Sequence, residues 1–424
     1  MKQIVLFGAG KSATCLIDYL IKETIENSWQ LTVADGNLEA AKSKTANAIN
    51  ANAVSIDVEK DFERKKLIGK ADIVISLLPP SLHFLVANDC VEMNKNLLTA
   101  SYADDKIKSL EGPVNKKGLL FLCEMGLDPG IDHMSAMELI HRIHEKGGRI
   151  TSFKSHTGGL IAPESDNNPW HYKISWNPRN VVLAGAAGAV YKENNCITTK
   201  KYETLFDNCN DINVDRIGNL AYYPNRDSLS YIPVYNLGSA NTFIRTTLRY
   251  PAFCKGWKAI VAAGLTNDKK VIDAKGLSIK KWSAAIAPSL NDENKQQLYF
   301  LGLFDDLPVP SSAKTSADIL QYLLETKLAM QPHDKDMIVM VHELEYEMDS
   351  KNHTTRSSLV VKGDDSIRTA MAKTVGLPLG IAAKLILQGK IKLTGLHIPI
   401  LPEIYEPVLA ELKKHGIQFD EQVN

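Results

Sequence analysis

No charge of either sign predominates in this 424-residue chain. Lys and Arg number 49, Asp and Glu number 49, and the formal net charge is zero. Without a basic surplus, neither nucleic acid nor an acidic membrane is expected as a partner. Cysteine is sparse, and its six positions (15, 90, 123, 196, 209 and 254) include no C-x-x-C pair. That scatter argues against a disulfide framework and predicts reduced thiols in a cytoplasmic protein. The apolar run at the start is too short for a signal-peptide core, and no stretch approaches the length of a membrane span. Internal repeats and low-complexity segments are absent. His141 and His144 stand three apart but lack a third ligand at a convincing spacing, so a packed or solvated helix face is expected and no metal. What is present is 44% hydrophobic residues, enough for real cores in two or three domains.

The opening carries the first motif. Gly8, Gly10, Lys11, Ser12 and Ala13 fall in G-x-G-x-x-A, after a short apolar run (residues 4–7) and before an apolar helix face (residues 15–21). The glycines allow a tight turn and close backbone approach, and the helix N-terminus offers N–H groups to a pyrophosphate. A second apolar run, residues 31–34, ends at Asp35, where an NAD ribose presents its hydroxyls. A carboxylate there repels the 2′-phosphate of NADP by several kcal/mol. No arginine follows, so NAD is expected over NADP; Lys42 and Lys44 are read as solvated helix residues. Further strands are predicted over 53–58, 72–80, 96–102 and 118–123, with Asp57 placed to sit beside an adenine. Strands and helices alternating over this stretch predict a doubly wound parallel sheet.

A second cluster, EMGLDPGIDHM, leaves the sixth predicted strand at its carboxyl end, where open α/β sheets bind ligands. Asp128 precedes a proline and is held extended, Gly130 permits a sharp turn, and Asp132 reads as a helix N-cap. Together with ISLLP, TASY, GGLIAPESDNNP, YKISW, YPNRDS, TLRY and MAKTVGLPLGIAAKLIL, this segment resembles the glutamate-forming saccharopine dehydrogenases (saccharopine reductases) along nearly the whole chain. The resemblance implies a Rossmann domain over 1–131 with 366–424 packing back onto it. It further implies a mixed α/β substrate domain over 132–255 and 331–365, a mainly helical insertion over 256–330, and a homodimer. Two positions depart from the family pattern: Lys11 replaces an aromatic, adding a contact to the pyrophosphate, and Pro80 replaces a tyrosine. Fungal members favour NADP, with arginine where Asp35-Gly36 stands; Asp35 groups this chain with the animal and plant domains, which favour NAD.

Saccharopine carries three carboxylates and a secondary amine, so its site needs cationic anchors. At strand period Asn241, Phe243, Arg245, Thr247 and Arg249 share one face, and Ile244 and Leu248 the other. Arginine pairs of this kind suit bidentate carboxylate recognition, and Arg226 in YPNRDS is a third candidate. By resemblance, Ser101, Tyr102, Asp128, Arg226, Asn241, Thr242, Phe243 and Arg245 contact substrate. Likewise by resemblance, Val58, Leu77, Thr99, Ala100, Leu127, Asp128, Pro129 and Ser175 join the glycine turn, Asp35 and Asp57 in holding the cofactor. The implied reaction removes a hydride from the carbon beside the amine, and water hydrolyses the resulting imine to glutamate and 2-aminoadipate 6-semialdehyde. A general base is required. Asp128 is the best-placed candidate, with Tyr102 or His133 acting through water as alternatives. His171, beside Trp170, is a further pocket candidate.

Two other functions fit the same dinucleotide-binding pattern. A carboxynorspermidine-type dehydrogenase would act on a related secondary amine but would want acidic lining, which Arg226, Arg245 and Arg249 oppose. A non-catalytic NAD-sensing protein should lack a complete substrate cluster, whereas Asp128, Arg226 and Arg245 all remain.

Overall fold

Six apolar runs of the first third of the chain are parallel strands in the computed structural model, which describes residues 1–46, 48–289 and 292–423. They are β1 (Gln3–Phe7), β2 (Gln30–Asp35), β3 (Ala51–Ser55), β4 (Ile73–Ser76), β5 (Asn96–Thr99) and β6 (Leu120–Leu122). A seventh strand, β16 (Gly395–His397), pairs with β6. The order is β16-β6-β5-β4-β1-β2-β3, with every pairing parallel. The order reverses between β1 and β4, which places the ligand crevice of a doubly wound sheet at the carboxyl ends of those strands. The strands are shorter than the apolar runs, so Asp57 and Val58 lie past β3, and Leu77 and Ser101 past β4 and β5.

The chain divides into two compact units, Met1–Arg142 with Ile367–Gln418, and Ile143–Ser366 with Phe419–Asn424. The first boundary lies beyond the expected residue 131 because the helix Ile131–Glu145 continues the first unit as far as Arg142. The last residues go with the second unit because β17 (Asp420–Val423) pairs with β15 (Lys351–Lys362). Residues 256–330 form no unit of their own. Trp257, Leu298, Leu320 and Leu324 pack in one core with Trp170, Tyr172, Val181 and Tyr223.

In the first unit the helix Ala370–Leu387 runs unbroken through Gly376 and Pro378, both residues that disfavour a helix interior. Packing overrides propensity here. A Cβ on Gly376 would lie 2.9 Å from the Leu16 backbone nitrogen, and one on Gly380 2.6 Å from the Tyr19 ring. The two glycines, four apart on one face, let this helix lie directly on the helix Thr14–Asn27. Lys384 clamps the pair by bonding Glu23 and Glu411, while the Tyr19 hydroxyl also donates to Glu411. By length and composition this helix could cross a membrane, which corrects the expectation that no stretch is long enough; 78% of it is buried inside the protein.

The second unit is built on a mixed sheet. Its main path runs β10 (Asn210–Val214), β11 (Gly218–Pro224), β13 (Thr242–Arg249), β7 (Arg149–Ile161), β14 (Asp336–Met348), β15 and β17. Three short strands, β8 (Ala189–Glu193), β9 (Cys196–Lys200) and β12 (Arg226–Asp227), attach beside β13. Arg356 on β15 donates to the Asn213 carbonyl on β10, and Gln422 on β17 donates to Asp215. Contacts between opposite ends of the path require the sheet to curl, and Ile212, Val214, Leu248, Val339 and Val341 fill its inner face.

Substituting Gly376→Val should lower stability by roughly 1–3 kcal/mol, because the clash is with backbone that cannot swing aside. Gly112→Ala, where a Cβ meets nothing within 4 Å, should instead raise stability by up to about 1 kcal/mol. Urea melts of the two variants check both signs.

Candidate active site

The glycine turn is shaped for a dinucleotide. Gly8 has φ +106°, and a Cβ there would come within 2.6 Å of the Leu77 carbonyl oxygen, so no side chain fits. Gly10 caps the short helical turn Lys11–Ala13 with no side-chain hydrogen bond, and nothing lies within 4 Å of where its Cβ would stand. That open approach to a helix N-terminus fits a pyrophosphate. Lys11 is exposed and Ser12 half-buried at the same turn.

Asp35 serves the turn directly. Its Oδ2 accepts from the Ala9 N–H at 2.6 Å and its Oδ1 from the Asn37 N–H at 2.7 Å. Lys44 is not a solvated helix residue. Its half-buried ammonium donates to the carbonyls of Ala9, at 2.8 Å, and Gly10. Burial lowers the Lys44 pKa, and the nearby Asp35 charge opposes that shift. Asp57 accepts from the Glu59 N–H at 3.1 Å, and the Val58 carbonyl from Arg64 at 2.6 Å.

At the ends of β4 and β5 a histidine that no sequence motif marks organises the edge. His83 Nδ1 lies 2.8 Å from Ser76 Oγ and 3.4 Å from Thr99 Oγ1, and its Nε2 lies 2.6 Å from Ser101 Oγ. Burial pushes its pKa down to about 4, so the ring is neutral at pH 7. The signal available in sequence was its place at the start of a helix just past the Pro79-Pro80 turn.

The loop from β6 wraps this edge. Glu124 N–H donates to the Ser101 carbonyl and Met125 N–H to that of Thr99. The chain then doubles back so tightly that a Cβ on Gly130 (φ +147°) would sit 2.0 Å from the Gly126 oxygen. Between them the Asp128–Pro129 peptide is cis, Leu127 is buried and Asp128 half-buried. The Tyr102 hydroxyl points at Asp128 Oδ1 across 3.4 Å. His133 is wholly buried, its Nε2 2.8 Å from Glu124 Oε2, and the other Glu124 oxygen accepts from the Ala103 N–H at 3.1 Å. Asp132 accepts from the Gly130 N–H at 2.6 Å and stands inside the first turn of the helix Ile131–Glu145 rather than at its expected N-cap, because the helix begins one residue earlier. On the same helix His141 Nδ1 lies 2.8 Å from the Tyr405 hydroxyl.

In the second unit, β13 separates its two faces as its alternation predicts. Arg245 is buried with its guanidinium 4.5 Å from the centre of the Tyr231 ring, and Phe243 packs on Phe153 and Tyr235. Arg226 is exposed with φ +53°, and Asn241 is exposed at the strand's start. Thr242 Oγ1 accepts from the Asn194 N–H, and Ser175 is buried. Arg249 departs from its expected role as a carboxylate anchor. It is buried over Tyr172 and Phe253, bonds only the Leu248 carbonyl among the described residues, and leaves its Nε without a partner. His171 is exposed and pairs with Asp166.

Comparison with known proteins assigns both halves. Residues 4–122 match the family model described as the saccharopine dehydrogenase NADP binding domain, and residues 126–417 the saccharopine dehydrogenase C-terminal domain. The Saccharomyces cerevisiae protein named saccharopine dehydrogenase [NADP(+), L-glutamate-forming] is 34% identical over 99% of both chains. The mitochondrial alpha-aminoadipic semialdehyde synthase of Bos taurus is 35% identical over 99% of this chain, which spans about half of that relative's length (48%). A solved structure, the apo histidine-tagged saccharopine dehydrogenase (L-Glu forming) from Saccharomyces cerevisiae, superposes with a TM-score of 0.87 at 33% identity, covering 100% of both chains.

These findings overturn the expected preference for NAD. The matching domain is described as NADP-binding, and the full-length fungal relatives are named for NADP(+). A preference for NAD requires a free Asp35 carboxylate facing the ribose. Both of its oxygens instead accept backbone N–H bonds, and the Lys44 ammonium stands beside the same turn.

A neutral, buried His83 makes stability depend on pH with a definite sign. The unfolded chain protonates this ring near pH 6.5, whereas the folded protein resists until about pH 4. Its contribution is therefore complete above pH 6.5 and is lost as pH falls toward 4, by roughly 3 kcal/mol in all. Urea midpoints from pH 7 to 4.5 should fall more steeply for the wild type than for His83→Gln; parallel curves would contradict the assignment.

Proposed function

Because the chain belongs to the saccharopine dehydrogenase family, we propose that it oxidises the secondary amine of saccharopine with NADP, forming glutamate and 2-aminoadipate 6-semialdehyde. The observation that carries this reading is the strap from β6, which holds Asp128 beside Tyr102 on the carboxyl edge of a sheet that also carries the glycine turn.

Gly8, Gly10, Ser12 and Ala13 would hold the pyrophosphate, and Thr99 and Ala100 the nicotinamide end. When bound, the nicotinamide accepts the hydride. The residues of the chain do the rest. Asp128 takes the proton from the amine nitrogen, so that its lone pair forms the C=N bond as the C–H bond breaks. The Tyr102 hydroxyl, donating toward Asp128 Oδ1, orients the carboxylate, which holds the proton until solvent takes it. Water then adds to the imine carbon, and the C–N bond breaks to release the amine of glutamate. Arg226 and Arg245 supply cationic anchors for the substrate's carboxylates; the stacking of Arg245 on Tyr231 fixes its guanidinium plane for bidentate contact.

Absorbance at 340 nm should rise when the protein meets saccharopine and NADP at mildly alkaline pH. Asp128→Asn should lower kcat by about 10²–10⁴ while NADPH binding persists. Arg245→Met should act mainly by raising KM for saccharopine. No turnover by the folded wild-type protein would overturn the reading, and an unimpaired Asp128→Asn variant would remove Asp128 from it.

A further inference from the structure

We infer that His83 is a positioning residue that orients the Ser101 hydroxyl for the reacting end of the substrate, an assignment that rests on the saccharopine dehydrogenase reading. The geometry comes from a fold-back of the chain. β4 ends at Ser76, the Pro79-Pro80 turn reverses direction, and His83 opens the helix His83–Glu92 with its ring over the ends of β4 and β5.

Among the described residues the ring's three side-chain partners are all hydroxyls, and the Leu78 backbone adds a further contact. Nδ1 faces Ser76 Oγ at 2.8 Å and Thr99 Oγ1 at 3.4 Å, while Nε2 faces Ser101 Oγ at 2.6 Å. Ser76 and Thr99 are buried, so the Nδ1 side is anchored in the sheet. Ser101 is half-buried, next in sequence to Tyr102, whose hydroxyl points at Asp128. The histidine thus links the interior to a hydroxyl on the candidate reaction edge. A histidine kept only to fill the core would have no need of the half-exposed partner at its shortest contact.

A neutral imidazole has one N–H and one lone pair, so its two ends play opposite parts. If Nδ1 accepts from Ser76 or Thr99, Nε2–H donates to Ser101, whose own proton is then free to point at a ligand. In the other tautomer Ser101 donates to Nε2 and presents its lone pairs outward. In both cases a hydroxyl that would otherwise turn among three rotamers is restricted to one role. The Ser101 N–H, which donates to Thr99 Oγ1 at 3.2 Å, fixes the backbone in the same place.

A double-mutant cycle with isosteric controls tests this. His83→Asn keeps an amide near the Nδ1 position and loses the reach to Ser101; the longer amide of His83→Gln reaches the Nε2 position. Ser101→Ala and His83→Asn should each lower kcat for saccharopine about tenfold, with KM for NADP changed less than twofold. The double variant should be no worse than either single one, and His83→Gln should recover most of the rate. Losses that multiply to about a hundredfold, or a His83→Gln variant as impaired as His83→Asn, would overturn the inference. So would a His83→Asn variant with a lower melting temperature but an unchanged kcat. If the wild-type protein fails to oxidise saccharopine, it is the function reading that fails. The imidazole ¹⁵N shifts of His83 then still decide the contact: Ser101→Ala should move the Nε2 resonance, and an unmoved resonance would refute it.

Discussion

The near-contact of Gly130 with Gly126 is the constraint on which the candidate active site depends. With a Cβ position 2.0 Å from the facing oxygen, only glycine closes this loop, and closure determines where everything between the two residues stands. The same loop spends its backbone N–H groups on the Thr99 and Ser101 carbonyls, and the Glu124 side chain reaches the Ala103 N–H. The ends of β5 and β6 are therefore tied to each other, and Asp128 is presented from the tie. Behind it, the buried Glu124–His133 pair anchors the strap to the first turn of the following helix. The position of Asp128 comes from backbone closure, with side chains filling places the backbone has already set.

Charge is distributed with the same economy. Asp35 braces the glycine turn through two N–H bonds, so its charge is committed before a cofactor arrives. The two arginines of β13 share a face but have different surroundings. Arg245 stacks on one ring near the start of its strand, and Arg249 is enclosed at the other end by Tyr172 and Phe253. A guanidinium buried without a carboxylate is costly, and its flat aromatic neighbours offset part of that cost through their negative faces.

Much of this was legible in the sequence. Short apolar runs between turn residues located all six early strands, because buried parallel strands have near-continuous hydrophobicity. The glycine turn and the GLDPGID strap were readable because each demands residues that nothing else replaces. The unreadable parts share a physical cause, namely contacts distant in sequence. Gly376 and Pro378 look like helix breakers until the helix Thr14–Asn27 is laid against them. Residues 256–330 read as a helical insertion, but that they share one core with Trp170, which Trp257 meets edge to face, no local pattern announces. His83 carried no motif, and its importance emerges only when the ends of two strands bring three hydroxyls around its ring. Asp35 misled for the same reason, since its partners are backbone N–H groups that no sequence pattern announces.

A crystal structure of the protein with NADPH and saccharopine bound together would decide which residues hold the substrate. It should show the pyrophosphate against the backbone N–H groups of the Gly8–Ala13 turn and the secondary amine within hydrogen-bond reach of Asp128. Substrate carboxylates should lie on Arg226 and Arg245. A substrate amine lying away from Asp128, or carboxylates held by other residues, would contradict the proposed roles of Asp128, Arg226 and Arg245.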